Sequence, residues 1–301
     1  MKSIFIGAGT DLGIHIDGCS LAPTQLERDI KGFYKGEIEQ LETDKSIIKS
    51  RGLSDRSKNK YEINEFNEIL YKKILEKIRH GYFPITVGGD KTVTIPSSLA
   101  DARYNEEIGL IVIGPRADYN TLDTTDTGNI NGFTTACVTG FKNEELRTFH
   151  RGEIIQASKT VLIGPRSMND KEKDNLKYSG ITVFSTDDIK KEGAKQIIEK
   201  AFSIATYKTK SVHVCFDLGI IGPEVISGIS IPIFDGVDDK LAMELNDSIL
   251  EHFDKVSGYD LVEFNPLRDT GRKTEQIALN ILYKTIEKIN ELPDKEIEEE
   301  Y

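Results

Sequence analysis

The sequence of 301 residues lacks several features that would assign it to a specialised class of protein. Its three cysteines are too few and too widely spaced for a disulfide framework or a zinc knuckle; they are Cys19, Cys137 and Cys215. Basic residues number 39 against 50 acidic ones, so the formal net charge is -11 and no basic face for DNA or RNA is predicted. No apolar run approaches the roughly 20 residues that a membrane-spanning helix requires. We therefore expect a cytoplasmic protein that contacts neither nucleic acid nor a membrane.

Short apolar runs rich in β-branched residues recur along the chain, and each is followed by a turn. The composition around them, 38% hydrophobic and 30% charged, is typical of a folded globular protein. Because these runs are apolar on both faces, they are typical of the buried strands of a parallel sheet. The predicted strands are Ser3–Ile6, Phe83–Val87, Gly109–Ile113, Thr160–Ile163, Ile181–Phe184, Ser211–Phe216 and Tyr259–Val262.

Helical patterns separate these strands. Apolar residues recur at spacings of three and four in three stretches, 63–78, 241–253 and 277–289. Strands that alternate with helices predict an α/β fold with a mostly parallel sheet. There is no long linker and no internal repeat, so we predict one domain over residues 1–301. Within it we expect a polar surface excursion at 41–60 and a frayed acidic tail at about 293–301.

Four of the predicted strand ends carry polar loops that begin directly after apolar residues. In parallel sheets the working residues lie where strands end and loops begin. The convergence of these four loops at one edge of the sheet is therefore the main structural expectation. The loops are Val87–Lys91, Ile113–Asn120, Phe216–Gly219 and Val262–Pro266.

In this order and spacing, the four loops resemble those of the ureohydrolase family, which includes arginase, agmatinase and formiminoglutamase. The family's loops read Gly-Gly-Asp-His, Asp-Ala-His-x-Asp, Asp-x-Asp and Glu-x-Asn-Pro, and Gly128–Gly132 stands at its Gly-Asn-x-His-Gly position. The resemblance implies a three-layer α/β/α sandwich with a mostly parallel sheet of about eight strands. It also implies a homo-oligomer, a trimer or hexamer, and two manganese ions about 3.5–4 Å apart. Between them a hydroxide attacks the guanidinium carbon of the substrate.

The family's metal ligands do not carry over to this chain. Only two of the matching positions keep a carboxylate, and none of the five histidines lies in these loops. The position of the family's proton-shuttle histidine is Asn131, which does not titrate near neutral pH. We therefore expect no manganese cofactor and no hydrolysis. The six degenerate ligand positions are Lys91, Gly114, Arg116, Asp118, Asp217 and Gly219.

The charges at these positions still balance. Lys91 and Arg116 match Asp118 and Asp217 in number, so two cationic side chains take the place of two metal ions. An ion pair at ~4 Å is worth about 4 kcal/mol at an effective dielectric constant of 20, before desolvation is subtracted. We expect a buried ion-pair cluster. Two other interpretations of Lys91 stay open, a solvated surface lysine and a catalytic base.

The resemblance also matches an outer pocket. The family's contacts to the substrate α-carboxylate fall on Asn120, Thr127 and Asn129. The contact to its amino group falls on Asn169, and the carboxylate that faces the guanidinium is Glu263. Two alternatives remain open: the asparagines merely shape the loop, or Lys91 and Arg116 fill the cavity and pair with Glu263.

The leading hypothesis is a catalytically inactive ureohydrolase homologue. It either binds an arginine-like ligand or joins an active paralogue and regulates it. The alternative is an active ureohydrolase of the arginase or agmatinase type with an altered metal site.

Overall fold

The computed structural model describes residues 1–44 and 56–294. Its centre is one sheet of eight strands in the order β2-β1-β3-β8-β7-β4-β5-β6, and every neighbouring pair is parallel. This confirms the predicted sheet. The strands are Ser3–Gly9 (β1), Glu37–Glu42 (β2), Phe83–Gly88 (β3), Ile108–Ile113 (β4), Thr160–Ile163 (β5), Thr182–Phe184 (β6), Ser211–Asp217 (β7) and Val256–Val262 (β8).

Helices cover both faces of the sheet and so confirm the three-layer sandwich. One apolar core packs α1 and α6 to α9 on one face, through residues such as Phe5 and Ile281. The other packs α2 to α5 on the opposite face, through residues such as Ile6 and Leu70. The helices are Ala22–Ile30 (α1), Lys60–Arg79 (α2), Thr94–Asn105 (α3), Thr134–Val138 (α4), Asp170–Lys177 (α5), Thr186–Glu192 (α6), Ala194–Ala205 (α7), Asp239–Leu250 (α8) and Lys273–Glu291 (α9).

The predicted excursion at 41–60 begins inside a strand and ends inside a helix. Its first residues complete β2 and its last residue begins α2, while residues 45–55 lie outside the described part of the chain. Of the predicted acidic tail at 293–301, residues 295–301 also lie outside it. Among the described helices, none combines the length and the apolar character needed to cross a membrane.

The strand order places the four polar loops side by side. Strands β3, β8, β7 and β4 are consecutive in the sheet and point the same way, so their carboxyl ends share one edge. Lys91, Glu263 and Asp118 lie in the loops after β3, β8 and β4, and Asp217 is the last residue of β7. Because parallel sheets bind ligands at this edge, the fold brings these side chains to the expected place.

Candidate functional site

A buried lysine lies at the centre of the four loops. Nζ of Lys91 is 2.7 Å from Oδ2 of Asp118 and 3.2 Å from Oδ2 of Asp217. All three side chains are nearly inaccessible, with exposed fractions of 2% for Lys91, 2% for Asp118 and 6% for Asp217. We call this arrangement the Lys91 centre.

The Lys91 side chain is an ammonium cation. Burial opposes its charge, but the facing carboxylates of Asp118 and Asp217 raise the pKa of Lys91 well above its ordinary value. A lysine with a raised pKa holds its proton at neutral pH and does not act as a general base. Its burial also rules out the solvated surface lysine.

Both carboxylates of the Lys91 centre are fixed by the backbone. Asp118 has a φ of 52°, in the left-handed region, and its carbonyl accepts hydrogen bonds from the N–H groups of Thr135 and Ala136. Oδ1 of Asp217 accepts from the N–H of Gly219 at 2.7 Å, which leaves Oδ2 for the lysine. Left-handed backbone in a non-glycine residue costs about 1–3 kcal/mol and persists only where the surroundings fix it.

Glu263 contacts the backbone of the loop that carries Lys91. Its Oε1 accepts from the backbone N–H of Lys91 at 3.0 Å and from Nδ2 of Asn131 at 3.2 Å. Its own backbone has a φ of 72° and donates to the carbonyl of Gly89 at 2.8 Å. Burial, followed by the nearby charge of Asp217, raises the pKa of Glu263 to about 8. The carboxyl is therefore mainly protonated at neutral pH.

Arg116 does not join the buried ion-pair cluster that the count of charges predicts. Its Nη2 donates to the carbonyl of Ile231 at 3.2 Å, and within residues 1–44 and 56–294 no carboxylate lies within 4.0 Å of its guanidinium. In the described residues Arg116 thus forms no ion pair with Asp118, Asp217 or Glu263, so the ion pair expected from the charge count is not formed. The charge of Arg116 still acts on Glu263, where it opposes the rise in the pKa of that carboxyl.

Two glycines make room for the Lys91 centre. A Cβ on Gly114 would lie 2.9 Å from Oδ2 of Asp217 and 3.0 Å from Nζ of Lys91. A Cβ on Gly219 would lie 2.9 Å from Oδ1 of Asp217 and 3.1 Å from Cγ of Pro115. Aspartates at these two positions, as in the family pattern, would require the lysine or its carboxylate to move.

The residues present do not fit a dimanganese centre. An ammonium group occupies the space between the two remaining carboxylates, and its charge repels a second cation. In the described ranges there is also no group of three or more His, Cys, Asp or Glu side chains that could hold a metal ion.

The residues matched to the outer pocket come from two loops: Asn120, Thr127 and Asn129 follow β4, and Asn169 follows β5. Nδ2 of Asn169 donates to Oδ1 of Asn120 at 3.2 Å. Nδ2 of Asn129 lies 2.9 Å from Nδ1 of His15, and its backbone N–H donates to Oγ1 of Thr127 at 3.2 Å. The structure thus brings Asn120 to Asn169 and Thr127 to Asn129, and these bonds shape the two loops.

Two charged groups near the Lys91 centre were not predicted from the sequence, the buried Glu172 and the half-buried Arg166. Oε1 of Glu172 accepts from the N–H of Tyr119 at 2.9 Å, and burial raises the pKa of Glu172 to about 7. Arg166 donates to the carbonyls of Gly219, Ile233 and Phe234 at 2.8–2.9 Å, which fixes the loop after β7. The sequence around Glu172 contains a pattern that could have drawn attention to it, because a glutamate three residues after Asn169 is typical of the start of a helix. No sequence pattern points to Arg166, since its partners are backbone carbonyl groups far along the chain.

A second buried cation lies below the site. Nδ1 of His213 is 2.9 Å from Oδ2 of Asp101, and Nε2 is 3.1 Å from Oδ2 of Asp260. Burial opposes the charge, but Asp260 and then Asp101 raise the pKa of His213 to about 10. His213 is therefore a core histidine whose two ring nitrogens each face a carboxylate that is distant in the sequence.

Comparison with known proteins places the fold and the loops in a family. A model of the arginase family matches residues 1–287. Arginase from Bacillus caldovelox is 28% identical over 300 residues, which cover 94% of this chain and 97% of that protein. Arginase from Bacillus subtilis is 27% identical over 288 residues, which cover 92% and 95%.

Solved structures agree with the sequence matches. The native Bacillus caldovelox arginase superposes with a TM-score of 0.85 at 25% identity, over 95% of this chain and 98% of that one. Entamoeba histolytica arginase in complex with L-ornithine gives a TM-score of 0.86 at 21% identity over 95% and 98%, which shows the shared fold. The match of the family model over almost the whole chain shows that this protein belongs to the arginase family.

Proposed function

We propose that this protein is a non-hydrolytic member of the arginase family, in which a side-chain cation replaces the metal centre. One observation supports this more than any other: the Lys91 ammonium lies between Asp118 and Asp217, the only two ligand positions that keep a carboxylate. A protein that keeps the fold and the loops without the reaction acts by binding.

The chemistry of the site supports the proposal. Hydrolysis at neutral pH requires a strongly activated water, and a bound metal supplies one by lowering the pKa of water from ~15.7 to about 7. Lys91 is a proton donor and Glu263 is mainly protonated, while Asn131 does not titrate. The carboxylates of Asp118 and Asp217 hold the lysine, whose ammonium group lies where a metal ion between them would bind.

The residues matched to the outer pocket support a binding role for an arginine-like ligand. Asn120 and Asn169 are half-buried, and Nδ2 of Asn169 donates to Oδ1 of Asn120. They match the positions that hold the amino-acid end of the substrate in the family. We infer that this end is the part of the ligand that these residues recognise, and that the guanidinium end no longer reaches a reacting water.

A direct test measures urea release from arginine and from agmatine in excess Mn²⁺, with the metal content of the protein determined in parallel. We expect no urea above background and no bound manganese. Turnover at ordinary enzyme rates, about 1–1,000 s⁻¹, with stoichiometric metal would overturn the proposal and establish the alternative, a ureohydrolase with an altered metal site.

A gain-of-function variant tests the role of the lysine. Lys91→His, combined with Gly114→Asp, Arg116→His, Gly219→Asp and Asn131→His, restores the family's donor set. We expect this variant to bind manganese. The matched control carries the other four substitutions and keeps Lys91, and we expect it to exclude the metal. Equal metal binding by both variants would contradict the assigned role of Lys91.

The binding role has its own test. Arginine, ornithine and agmatine are each added while the melting temperature is measured, because a ligand that binds only the folded state raises it. We expect a rise with at least one of the three, reduced by Asn169→Ala, and no rise with Mn²⁺. A protein that shows no rise with any of them is a structural subunit, for which co-purification with an active relative is the supporting observation.

A further inference from the structure

A surface groove lies next to the Lys91 centre and has no part in the proposed function. Its volume is about 370 Å³, within the range of sites that bind small molecules. Helix α5 and the residue that follows it form one wall through Asp174 and Tyr178, and the loop after α4 forms the other through Phe141. The floor is Tyr119, whose ring stacks on Phe141 with a centroid distance of 4.9 Å.

The groove offers a negative charge and an aromatic face. Tyr178 is 82% exposed and lines the groove, so its ring is open to a ligand. Asp174 is exposed, and in the described part of the chain no cation lies within 4.0 Å of its carboxylate. The described lining includes no lysine and no arginine. These features suit a ligand that is flat and positively charged.

One cation already uses this environment. Nζ of Lys177 lies 5.3 Å from the centroid of the Tyr178 ring, within the range at which a ring face attracts a cation. The lysine does not line the groove, so it competes with a ligand for the ring without filling the cavity.

We propose that this groove binds a small molecule carrying a planar organic cation, an amidinium or a guanidinium, which stacks on Tyr178 and pairs with Asp174. A planar cation suits both partners, because its face meets the ring while its N–H groups point at the carboxylate.

The groove is connected to the Lys91 centre by two hydrogen bonds. Glu172, on the same helix as Asp174, accepts from the N–H of Tyr119, the residue that follows Asp118. On the opposite wall, Nδ2 of Asn143 donates to the carbonyl of Asn120 at 3.0 Å.

The test compares benzamidine with benzamide, which has the same shape and no charge. Each is titrated into the full chain while NMR shifts or heats of binding are recorded. We expect benzamidine to bind and benzamide to bind at least about tenfold more weakly. Asp174→Asn and Tyr178→Ala are each expected to weaken benzamidine binding about tenfold, and Lys177→Ala to strengthen it.

Asp170→Asn is the matched control, because Asp170 lies on the same helix, is 98% exposed and does not line the groove. It should leave the affinity unchanged. Equal binding of the two probes, no binding at millimolar concentration, or an affinity insensitive to both Asp174→Asn and Tyr178→Ala overturns the proposal. These outcomes involve neither manganese nor urea, so they are distinct from a failure of the proposed function.

Discussion

Lys91 and Gly114 depend on each other, because a Cβ on Gly114 would lie 3.0 Å from Nζ of Lys91. The same Cβ would lie 2.9 Å from Oδ2 of Asp217, so a side chain at this position requires the ends of the lysine or the aspartate to shift. A substitution at either Lys91 or Gly114 is therefore expected to change the effect of a substitution at the other.

The first prediction concerns Lys91→Met, which keeps the length of the side chain and removes its charge. Two buried carboxylates then lose their cation, and breaking a buried ion pair in this way costs about 3–5 kcal/mol of unfolding free energy. Urea denaturation at neutral pH measures the loss. Adding Asp118→Asn removes one of the unpaired charges and should recover part of the stability.

The control for this variant is Lys72→Met, which removes a lysine from an exposed pair with Glu68. Exposed pairs contribute about 0–1 kcal/mol, so this change should have little effect. Comparable losses for Lys91→Met and Lys72→Met would refute a stabilising role for the buried cluster.

The second prediction is a double-mutant cycle. Gly114→Ala places a methyl group against Nζ of Lys91 and Oδ2 of Asp217, and overpacking of this kind costs about 1–3 kcal/mol. In the Lys91→Met background the charged contact is gone, so the effects should not add. Unfolding free energies of the four proteins give the coupling. A coupling near zero would show that the two positions act independently.

The third prediction concerns pH and Glu263, whose pKa is raised to about 8 from an ordinary value near 4.5. Between these values the folded protein holds a proton that the unfolded chain releases, so stability falls as pH rises through this window. Glu263→Gln imitates the protonated form and keeps the acceptor for Lys91 and Asn131. The variant should therefore show a shallower loss of stability from pH 5 to 8. Identical slopes for the two proteins would contradict the raised pKa.

The fourth prediction concerns His213, whose pKa is raised to about 10 by Asp260 and Asp101 against the burial that opposes the charge. Its contribution is fully present below the unfolded value of about 6.5 and is lost as pH rises through 10. His213→Gln should be less stable at pH 7 and should lose less stability between pH 7 and 10. Denaturant unfolding across this range measures both effects, and parallel curves for the two proteins would count against a buried imidazolium.

Seven of the eight strands follow from the sequence: the six inner strands are apolar because they are buried on both faces, and the half-buried edge strand β6 is a run of β-branched and aromatic residues. Strand β2 does not, since it is an edge strand with Glu37 and Glu39 along it. These glutamates pair with Lys73 and Lys77 of helix α2, contacts that join residues more than 30 positions apart. The pattern of residues along the sequence does not predict these long-range ion pairs.

In the site too, features set by a local motif could be predicted, whereas contacts between residues far apart in the sequence could not. Lys91 follows a strand by three residues, so its location at the sheet edge could be predicted from the loop motif. The partner of Arg116 could not, because the carbonyl of Ile231 is 115 residues away and every residue carries such a group. Charge counting treats all cations at the edge as equivalent, whereas the geometry of the loop after β7 separates Lys91 from Arg116.

The cation of the Lys91 centre is covalently part of the chain. It cannot be diluted by dialysis, removed by a chelator or exchanged for another ion, and its local concentration is fixed by the backbone on both sides of it. If the proposed function is right, the edge of the sheet stays assembled whatever the supply of transition metals, and the protein does not respond to changes in that supply.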